Sequence, residues 1–469
     1  MQSPSSVMMG AQTGPQMPGG SINDIINSSN EDHIKTVTEE IKREIMERCG
    51  ERILKDNQDA EFQKMLQRTI NDIILRRPDI SPQEKDILMV SIYNDIVGFG
   101  AIQDLLDRDD ITEIMVTHYD KIYAEEKGIM KLQNTKFQSE EDLMNVINKI
   151  VGPLGRRIDK AHPHVDARLP NGSRVFAIIP PVSPDGASVS IRKFSKNKLT
   201  GDDYIRFGSI KQPMIDFLKG AVEAKCNILV SGGTGSGKTT LLNMLSNYIP
   251  EKDAIITIED SMELQLNQEN VRRWEAKEAS AEGTGGVSQR DLVKCSLRAR
   301  PDRIVIGEIR DGTIVDLFRA FSTGHDGGLS TIHADSPKVL MNSAIPILFG
   351  MSDMTFKDNT RDQLVCDSID LIVQVSRLLD GSRKIVNITH VAGYGRDGAS
   401  AIAAKGDSID PEKIYLQDIF RYVEDGVSED GKVVGHFEAT GYKPKKVMGK
   451  MKSHGVTIPN NLFEKRILE

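Results

Sequence analysis

A glycine-rich loop between a short apolar segment and a helical one constrains this chain more than any other feature. Residues 226–240 read CNILVSGGTGSGKTT, and the leucines that follow recur at helical spacing. Glycines allow successive backbone N–H groups to face an anion at a helix N-terminus, where the helix dipole also favours negative charge. The pattern matches the strand, loop and helix that bind the phosphates of a nucleoside triphosphate. It predicts a parallel α/β sheet built around this loop.

The loop predicts individual roles for two of its residues, Lys238 and Thr239. Lys238 can reach the β- and γ-phosphates, and the hydroxyl of Thr239 can hold Mg²⁺. We therefore expect ATP and Mg²⁺ as cofactors. The alternative is a glycine-rich turn that matches the motif by chance. The apolar strand before the loop and the helical spacing after it argue against that alternative. The predicted nucleotide-binding residues are Gly232, Gly233, Thr234, Gly235, Ser236, Gly237, Lys238, Thr239 and Thr240, with Thr239 as the metal ligand.

Composition narrows the class of protein. The chain has 469 residues, enough for two or three domains at about 150 residues each. Its net charge of -8 argues against general nucleic-acid binding, so no nucleic-acid partner is expected. The four cysteines form no C-x-x-C pair, which disfavours a zinc ribbon or a disulfide framework. Because no apolar run approaches the roughly 18 residues of a membrane span, we expect a cytoplasmic protein that reaches the membrane through partners.

The first half of the chain divides by pattern into three parts. Residues 1–30, rich in Gly, Pro, Ser, Gln and Met, predict a disordered tail. Apolar residues at every third or fourth position predict a small helical bundle over 31–100, with a capping box at Ser81 and Glu84. Short β-like runs around one amphipathic helix predict an α+β domain over 101–199; the runs lie at 113–116, 121–124, 174–179 and 188–192, and the helix at 141–151.

The second half predicts a different class of domain. Residues 200–212 show little apolar periodicity and are predicted to be a linker. From 213 to 469 helices and strands alternate as in a parallel sheet with crossover helices, with strands predicted at 254–258 and 303–306. We expect an α/β nucleotide-binding domain with a C-terminal extension.

An acidic residue ends a second apolar run. Residues 304–308 read IVIGE, which places Glu308 at the carboxyl end of a strand beside the phosphate loop. Glu308 can therefore orient an attacking water; a strand that simply ends at a solvated glutamate is the alternative. An Asp usually precedes this glutamate in the Walker B pattern, but Gly307 stands there. The metal is therefore expected to rely on Thr239, phosphate oxygens and water.

Two further clusters are candidates for the same site. Glu259, Asp260 and Glu263 follow an apolar strand and could bind Mg²⁺ through water or polarise the nucleophile, unless they are solvated turn residues. His325 and His333 stand on either side of a glycine-rich turn and could sense the γ-phosphate. A packed or exposed histidine with no role is the alternative for each.

Four motifs in this order carry a family resemblance. SGGTGSGKTT, TIEDSMEL, RPDRIVIGEIRD and STGHDGGLSTIHA resemble the Walker A, Asp box, Walker B and His box of the type II/type IV secretion ATPase superfamily. Upstream, GPLGRRID, VDARLPNGSRV and SIRKF resemble the CpaF-type ATPase of tight-adherence (Tad) pilus assembly. The resemblance spans about residues 95–437. After Arg310 the family usually reads Gly-Gly-Glu-Ala, whereas this chain has Asp-Gly-Thr-Ile.

The resemblance implies an architecture and an activity. The fold would be a RecA-like P-loop NTPase motor domain with an N-terminal α+β domain and a preceding helical bundle, assembled as a homohexamer. Arg174 and Arg192 would reach the γ-phosphate, a task that suits the permanently charged, bidentate guanidinium; surface or strand-edge arginines are the alternative. With these two, the predicted catalytic residues are Glu308, Glu263, Glu259, His325, His333, Arg174 and Arg192.

The implied function is hydrolysis of ATP to power assembly, or also retraction, of a Tad or type IV-like pilus or secretion filament through integral membrane platform proteins. Related motors for pilus retraction, the archaellum or conjugative DNA transfer remain open. So does a nucleotide-dependent switch with little turnover.

Overall fold

The chain forms two compact units, Met1–Phe194 and Ser195–Glu469. The computed structural model describes residues 22–56, 59–126, 128–194, 198–277, 284–402 and 409–468. The first unit contains three long helices and a six-stranded sheet, and the second contains a ten-stranded sheet with helices. In the described part of the chain, no helix is long and apolar enough to cross a bilayer.

Three helices begin the first unit and share one apolar core. Asp59 caps the second helix, and the third begins at the predicted capping box, in which the N–H of Ser81 donates to the Glu84 carboxylate at 2.9 Å. Ile41, Phe62 and Ile92 are fully buried in this core. Of the predicted tail, residues 1–21 lie outside the described residues and 22–30 belong to the first helix. The helices are α1 (Ile22–Asp56), α2 (Ala60–Leu75) and α3 (Pro82–Ile96).

An antiparallel sheet completes the first unit. Its order is β3-β2-β1-β6-β5-β4, and every neighbouring pair is antiparallel. The apolar side of α5 packs on it through Leu143, Ile147 and Ile150. The elements are α4 (Gln103–Asp107), β1 (Ile111–His118), β2 (Lys121–Glu126), β3 (Ile129–Leu132), α5 (Glu140–Val151), β4 (His164–Arg168), β5 (Arg174–Ile178) and β6 (Ser188–Arg192).

The second unit is built on a mixed sheet of ten strands with the order β16-β15-β14-β13-β12-β7-β11-β10-β8-β9. Its strands are β7 (Ile228–Ser231), β8 (Ile255–Glu259), β9 (Val271–Glu275), β10 (Arg303–Ile306), β11 (Leu329–Ile332), β12 (Leu371–Arg377), β13 (Arg383–Tyr394), β14 (Ile414–Val427), β15 (Val433–Ala439) and β16 (Arg466–Leu468). From β12 to β9 the pairings are parallel, and from β12 to β16 they are antiparallel. The predicted C-terminal extension therefore extends the same sheet.

Helices cover this sheet in two apolar clusters, so the central strands are buried on both faces, as parallel strands usually are. The helices are α6 (Gly201–Arg206), α7 (Gln212–Glu223), α8 (Lys238–Ser246), α9 (Gln289–Ser296), α10 (Thr313–Ser322), α11 (Pro337–Val339), α12 (Ile345–Gly350), α13 (Asp358–Ser368), α14 (Gly395–Ala401) and α15 (Lys445–Ser453). Crossover helices between parallel strands make this an α/β domain of the RecA-like type, the predicted fold class.

Residues 200–212, for which the sequence predicts a linker, are part of the second unit. Thr200 and Asp203 form a capping box at the start of α6. Tyr204 and Ile210 are buried in the core beside the sheet. The short helix escapes a periodicity search because it is only 6 residues long.

Candidate nucleotide-binding site

The glycine-rich loop joins the fully buried strand β7 to α8. Gly235 and Gly237 have φ of +70° and +96°, a backbone conformation that other residues rarely adopt. Gly232 has no room for a side chain, because a Cβ there would lie 2.3 Å from the Val375 carbonyl oxygen. The backbone therefore curls tightly in front of the α8 N-terminus, which is a favourable position for an anion.

Lys238 is the first residue of α8, and its side chain folds back over the loop. Its Nζ donates to the Gly233 carbonyl oxygen at 3.0 Å and lies 3.2 Å from Nε2 of His333. The residue is only 7% exposed. Its charge is thus held within the loop, where the phosphates of a nucleotide would bind.

Two adjacent parallel strands bring Glu308 and His333 together. Glu308 follows β10 and His333 follows β11, and both strands end at the edge that carries the loop. Nε2 of His333 lies 2.8 Å from Oε1 of Glu308. Nε of Arg310 donates to the second carboxylate oxygen of Glu308 at 2.8 Å. Glu308 is therefore held between His333 and Arg310, and His333 links it to Lys238.

The environment of His333 favours its neutral form. Burial, and then the positive charge of Lys238, lower the pKa of His333, while the carboxylate of Glu308 acts in the opposite direction. The closest contacts to both charged neighbours are made through Nε2, so in its neutral form the ring can accept from Lys238 or donate to Glu308 through this atom, but not both at once. This suits a group that responds to charge at the phosphates.

Glu259 ends β8 and is almost completely buried, with 2% exposed. Its Oε1 accepts hydrogen bonds from the N–H groups of Glu263 and Leu264 at 2.7 and 2.8 Å. Its Oε2 is buried and has no hydrogen-bond partner among the described residues. Burial raises the pKa of Glu259 to about 7. Glu259 thus holds the acidic turn through these two hydrogen bonds, and Asp260 is exposed.

The close packing of Glu259 also accounts for Gly307. A Cβ at position 307 would lie 3.0 Å from Cγ of Glu259, so the glycine makes room for the buried carboxyl. An aspartate there would add both volume and a like charge. The departure from the usual Walker B pattern therefore has a local cause.

His325 lies away from the phosphate loop within this chain, so its expected role at the γ-phosphate stays a prediction. It precedes β11 whereas His333 follows it, so the two lie at opposite ends of that strand, whose four residues span about 13 Å. The turn after His325 is held at the far end of the strand, where the N–H groups of Gly327 and Gly328 donate to Oδ1 of Asn227 at 2.8 and 2.9 Å. Of the two histidines, His333 is the one that lies at the loop.

Arg174 and Arg192 are directly opposite each other on β5 and β6 of the first unit. Directly opposed residues share a face of the sheet, and like charges in this position repel. The arrangement suits an anion that both guanidinium groups could contact. The sheet thus brings together the two arginines that the resemblance selects.

The residues at the loop fit a magnesium ion that arrives with a triphosphate. Thr239 is the second residue of α8, so its hydroxyl lies in the first helical turn beside Lys238. Within the described ranges, no group of three His, Cys, Asp or Glu side chains could hold a metal alone. Mg²⁺ commonly keeps several waters and binds through few protein ligands and phosphate oxygens. One hydroxyl beside a phosphate site is sufficient for that mode.

Comparison with known proteins identifies the family. The model of the family described as "Type II/IV secretion system protein" matches residues 95–407. The chain belongs to this family.

Three similar proteins illustrate the range of the family. A putative conjugal transfer protein of Mycobacterium tuberculosis is 32% identical over 252 residues, which cover 52% of this chain and 72% of that protein. The type IV secretion system protein PtlH of Bordetella pertussis is 31% identical over 326 residues, 64% of this chain and 95% of that protein. The crystal structure of the VirB11 ATPase from Brucella suis is 25% identical with a TM-score of 0.34, covering 61% of this chain and 91% of that one.

The match to the secretion family covers the whole candidate site. Every predicted site residue, from Arg174 to His333, lies within the matched segment, whereas α1 to α3 lie almost entirely before it and β14 to β16 after it. The resemblance to the type II/IV secretion superfamily is therefore confirmed.

The structure adds site residues of this secretion-family protein that the sequence did not single out. Nε of Arg383, on β13, donates to the Gly235 carbonyl oxygen of the loop at 3.1 Å. Arg310 pairs with Glu308. The sequence could have indicated Arg310, because it stands two residues after Glu308 and both residues follow the end of β10. No sequence pattern could have indicated Arg383, because only strand pairing brings it to the loop.

Proposed function

We propose that this secretion-family protein is a motor that hydrolyses ATP to ADP and phosphate. The observation that carries the proposal is the row of contacts from Lys238 through His333 to Glu308 at the mouth of the glycine-rich loop. It joins a phosphate-binding cation to a carboxylate that can orient water, which are the two elements that phosphoryl transfer requires of a protein.

In the proposed mechanism, the triphosphate replaces internal partners of Lys238. Its Nζ now contacts the Gly233 carbonyl and the His333 ring, and a β- or γ-phosphate would be a stronger, charged partner. Glu308, positioned by His333 and Arg310, would accept a hydrogen bond from the attacking water. Release of ADP after hydrolysis would return Lys238 to His333, so this contact reports whether the loop is occupied.

The remaining predicted residues have supporting roles. Thr239 would hold Mg²⁺, which supplies charge neutralisation at the phosphates when bound. Glu259 and Glu263 would shape the acidic turn beside the loop. We propose that Arg174 and Arg192 contact the γ-phosphate, since strand pairing sets the two residues opposite each other and a guanidinium group matches phosphate geometry.

We further propose a homohexamer at the cytoplasmic face of the membrane, of the CpaF type, that drives assembly of a Tad or type IV-like pilus through integral membrane platform proteins. The upstream segments GPLGRRID, VDARLPNGSRV and SIRKF support this choice within the superfamily. Deletion of the chain should abolish the filament, and mass measurement of the purified protein with nucleotide should give six copies.

The test of the motor is a comparison of turnover and binding. We expect Glu308→Gln to retain ATP binding and to lose at least about a hundredfold in phosphate release, because the carboxylate that orients water is gone. The measurements are phosphate release at saturating ATP and the Kd of a fluorescent ATP analogue.

A matched control separates loss of chemistry from loss of fold. Glu251→Gln makes the same chemical change at an exposed carboxylate before β8, at the opposite end of that strand from the loop, and should keep turnover within about threefold. If Glu308→Gln kept full turnover, the proposed water-orienting role would be wrong. If the wild-type protein bound ATP but hardly hydrolysed it, the switch alternative would replace the motor.

Conjugative DNA transfer is the second candidate, because relatives of this chain carry that description, including the one from Mycobacterium tuberculosis. A DNA-moving protein should bind DNA in a strongly salt-dependent way, and DNA should stimulate its ATP turnover. The net charge of -8 favours no such binding. Turnover with and without DNA at low and high salt distinguishes the two candidates.

A further inference from the structure

The first unit contains a groove between α3 and the segment that leads into α5. The cavity has a volume of about 610 Å³. One wall is a face of α3 that includes Asp86, Ile87 and Val90, and the other consists of residues 134–138 with Asp142. The groove is remote in sequence from every residue of the nucleotide site in the second unit.

One side of the groove is apolar and exposed. Ile87 and Val90 are 68% and 54% exposed, and their spacing of three residues places them on one face of α3. Leu88 and Ile92, on the other side of the same helix, are buried in the bundle core. α3 thus presents apolar side chains both to its own core and to an open groove, which is typical of an interaction surface.

The rim of the groove is acidic. Its lining includes Asp86, Asp95, Asp104 and Asp142, and Lys136 is the one cation among the lining residues, all of which belong to the described part of the chain. Two of these carboxylates, Asp95 and Asp104, already contact other side chains of this chain.

Asp95 pairs with Lys42 of α1 at 2.7 Å, and Asp104 accepts a hydrogen bond from Asn94 at 3.1 Å. Lys42 compensates the charge of Asp95, whereas Asn94 is an uncharged donor, so Asp86, Asp104 and Asp142 carry the charge that a partner would meet. A cationic segment would be electrostatically complementary to this rim.

The two walls are tied together, so the groove is already formed. Nζ of Lys149, on α5, donates to the carbonyl oxygens of Ile96 and Gly98 at the end of α3, at 2.7 and 2.6 Å. The hydroxyl of Thr135 donates to the Ala101 carbonyl at 3.0 Å. A partner that binds here would lose little free energy to reorganisation of the groove.

We propose that this groove docks a Lys/Arg-rich segment with apolar side chains from the cytoplasmic side of an integral membrane protein. Cytoplasmic loops of membrane proteins carry an excess of Lys and Arg, which matches the acidic rim, and a Leu or Ile side chain would pack on Ile87 and Val90. The choice of a membrane protein rests on the proposed function, whereas the charge and polarity of the segment rest on the groove.

A peptide experiment tests the chemistry of the groove in the full-length protein. The probe is a fluorescent peptide of about 12 residues composed of leucine and lysine, and the control probe has serine in place of leucine. We expect Asp86→Lys with Asp142→Lys, and separately Ile87→Ser with Val90→Ser, each to weaken binding of the leucine peptide about tenfold.

Glu141→Lys is the matched control, because it reverses an exposed charge on α5 outside the groove; it should change affinity by less than about twofold. Equal affinity in all variants, or equal binding of the serine peptide, would overturn the proposal. ATP turnover should be unchanged in every variant, so failure of the groove and failure of the motor are distinguishable. Circular dichroism checks that each variant is folded.

A photoreactive amino acid at position 90 identifies the occupant in cells. The expected product joins this chain to a Lys/Arg-rich cytoplasmic segment of an integral membrane protein. Crosslinking to a second copy of this chain or to a soluble protein would overturn the proposal.

Discussion

At the scale of single residues, the site is a set of groups whose protonation is shifted by desolvation and by neighbouring charges. His333 has a lowered pKa and Glu259 a raised one, so both are shifted towards the neutral form. Glu308 and Lys238 lie beside His333. Glu259, with a pKa of about 7, can therefore change charge near neutral pH, and groups perturbed in this way often mark function.

Glu259 leads to a prediction about pH and stability. Its pKa is raised from 4.5 to about 7, so between these values the folded protein binds more protons than the unfolded chain. Stability from this residue is therefore greatest at low pH and is lost as the pH rises through about 7. Glu259→Gln keeps an oxygen acceptor for the N–H groups of Glu263 and Leu264 but cannot ionise.

We expect Glu259→Gln to gain stability relative to the wild type between about pH 5 and about pH 8. Urea unfolding of both proteins across this range measures the difference in unfolding free energy. The contributions of other titrating groups, such as His390, are the same in both proteins and cancel in this difference. A constant difference in unfolding free energy at all pH values would contradict the raised pKa.

At the scale of elements, the phosphate loop is supported by a strand from later in the chain. β12 pairs with β7, and β13 pairs with β12, so Arg383 at the start of β13 reaches the carbonyl oxygen of Gly235. The loop conformation therefore depends on the antiparallel part of the sheet as well as on its own glycines.

We expect Arg383→Ala to weaken binding of ATP and ADP alike by about three- to tenfold, because one hydrogen bond to the loop is lost while its glycines remain. Titration calorimetry with each nucleotide measures this. Arg421→Ala, a control on the exposed side of β14, should leave both affinities unchanged. A loss for ATP only would instead indicate contact of Arg383 with the γ-phosphate.

Sequence pattern predicted several strongly apolar strands and missed short or polar ones. The fully buried β11 was missed and assigned to a glycine-rich turn, because it has only four residues and two of them are polar. The predicted strand at 303–306 coincides with β10, whose residues are all buried. β3 was missed because all four of its residues are exposed, and β9, with the half-buried sequence VRRWE, because it is an edge strand with charges. Local patterning reports burial, so elements at the edge of a sheet leave little signal.

At the scale of the whole molecule, a buried ionic network connects α15, the last α-helix, to the sheet. Asp370 is 1% exposed, and its Oδ2 lies 2.7 Å from Nζ of Lys450 on α15 and accepts the N–H of Asn227 at 2.9 Å. Nζ of Lys446 lies 3.3 Å from its other oxygen. The network connects the start of β7, the strand that ends in the phosphate loop, to the last helix of the chain.

We expect Lys450→Met to lower the free energy of unfolding by up to about 3 kcal/mol, because Asp370 would keep only one of its two cations while remaining buried. Lys452→Met, on an exposed position of the same helix, should change it by less than about 0.5 kcal/mol. Urea unfolding of both variants provides the comparison. Equal effects would show that the pair with Asp370 contributes nothing specific.

The amino-acid order alone determined the phosphate loop, the acidic end of β10 and the alternation of helices and strands around them, because each is encoded in a short stretch of chain. Only the tertiary structure decided which distant groups meet: that His333 reaches Lys238 and Glu308 whereas His325 lies at the opposite end of β11, that Arg383 supports the loop, and that Gly307 makes room for Glu259. Strand order and register set these encounters, and no local pattern carries that information.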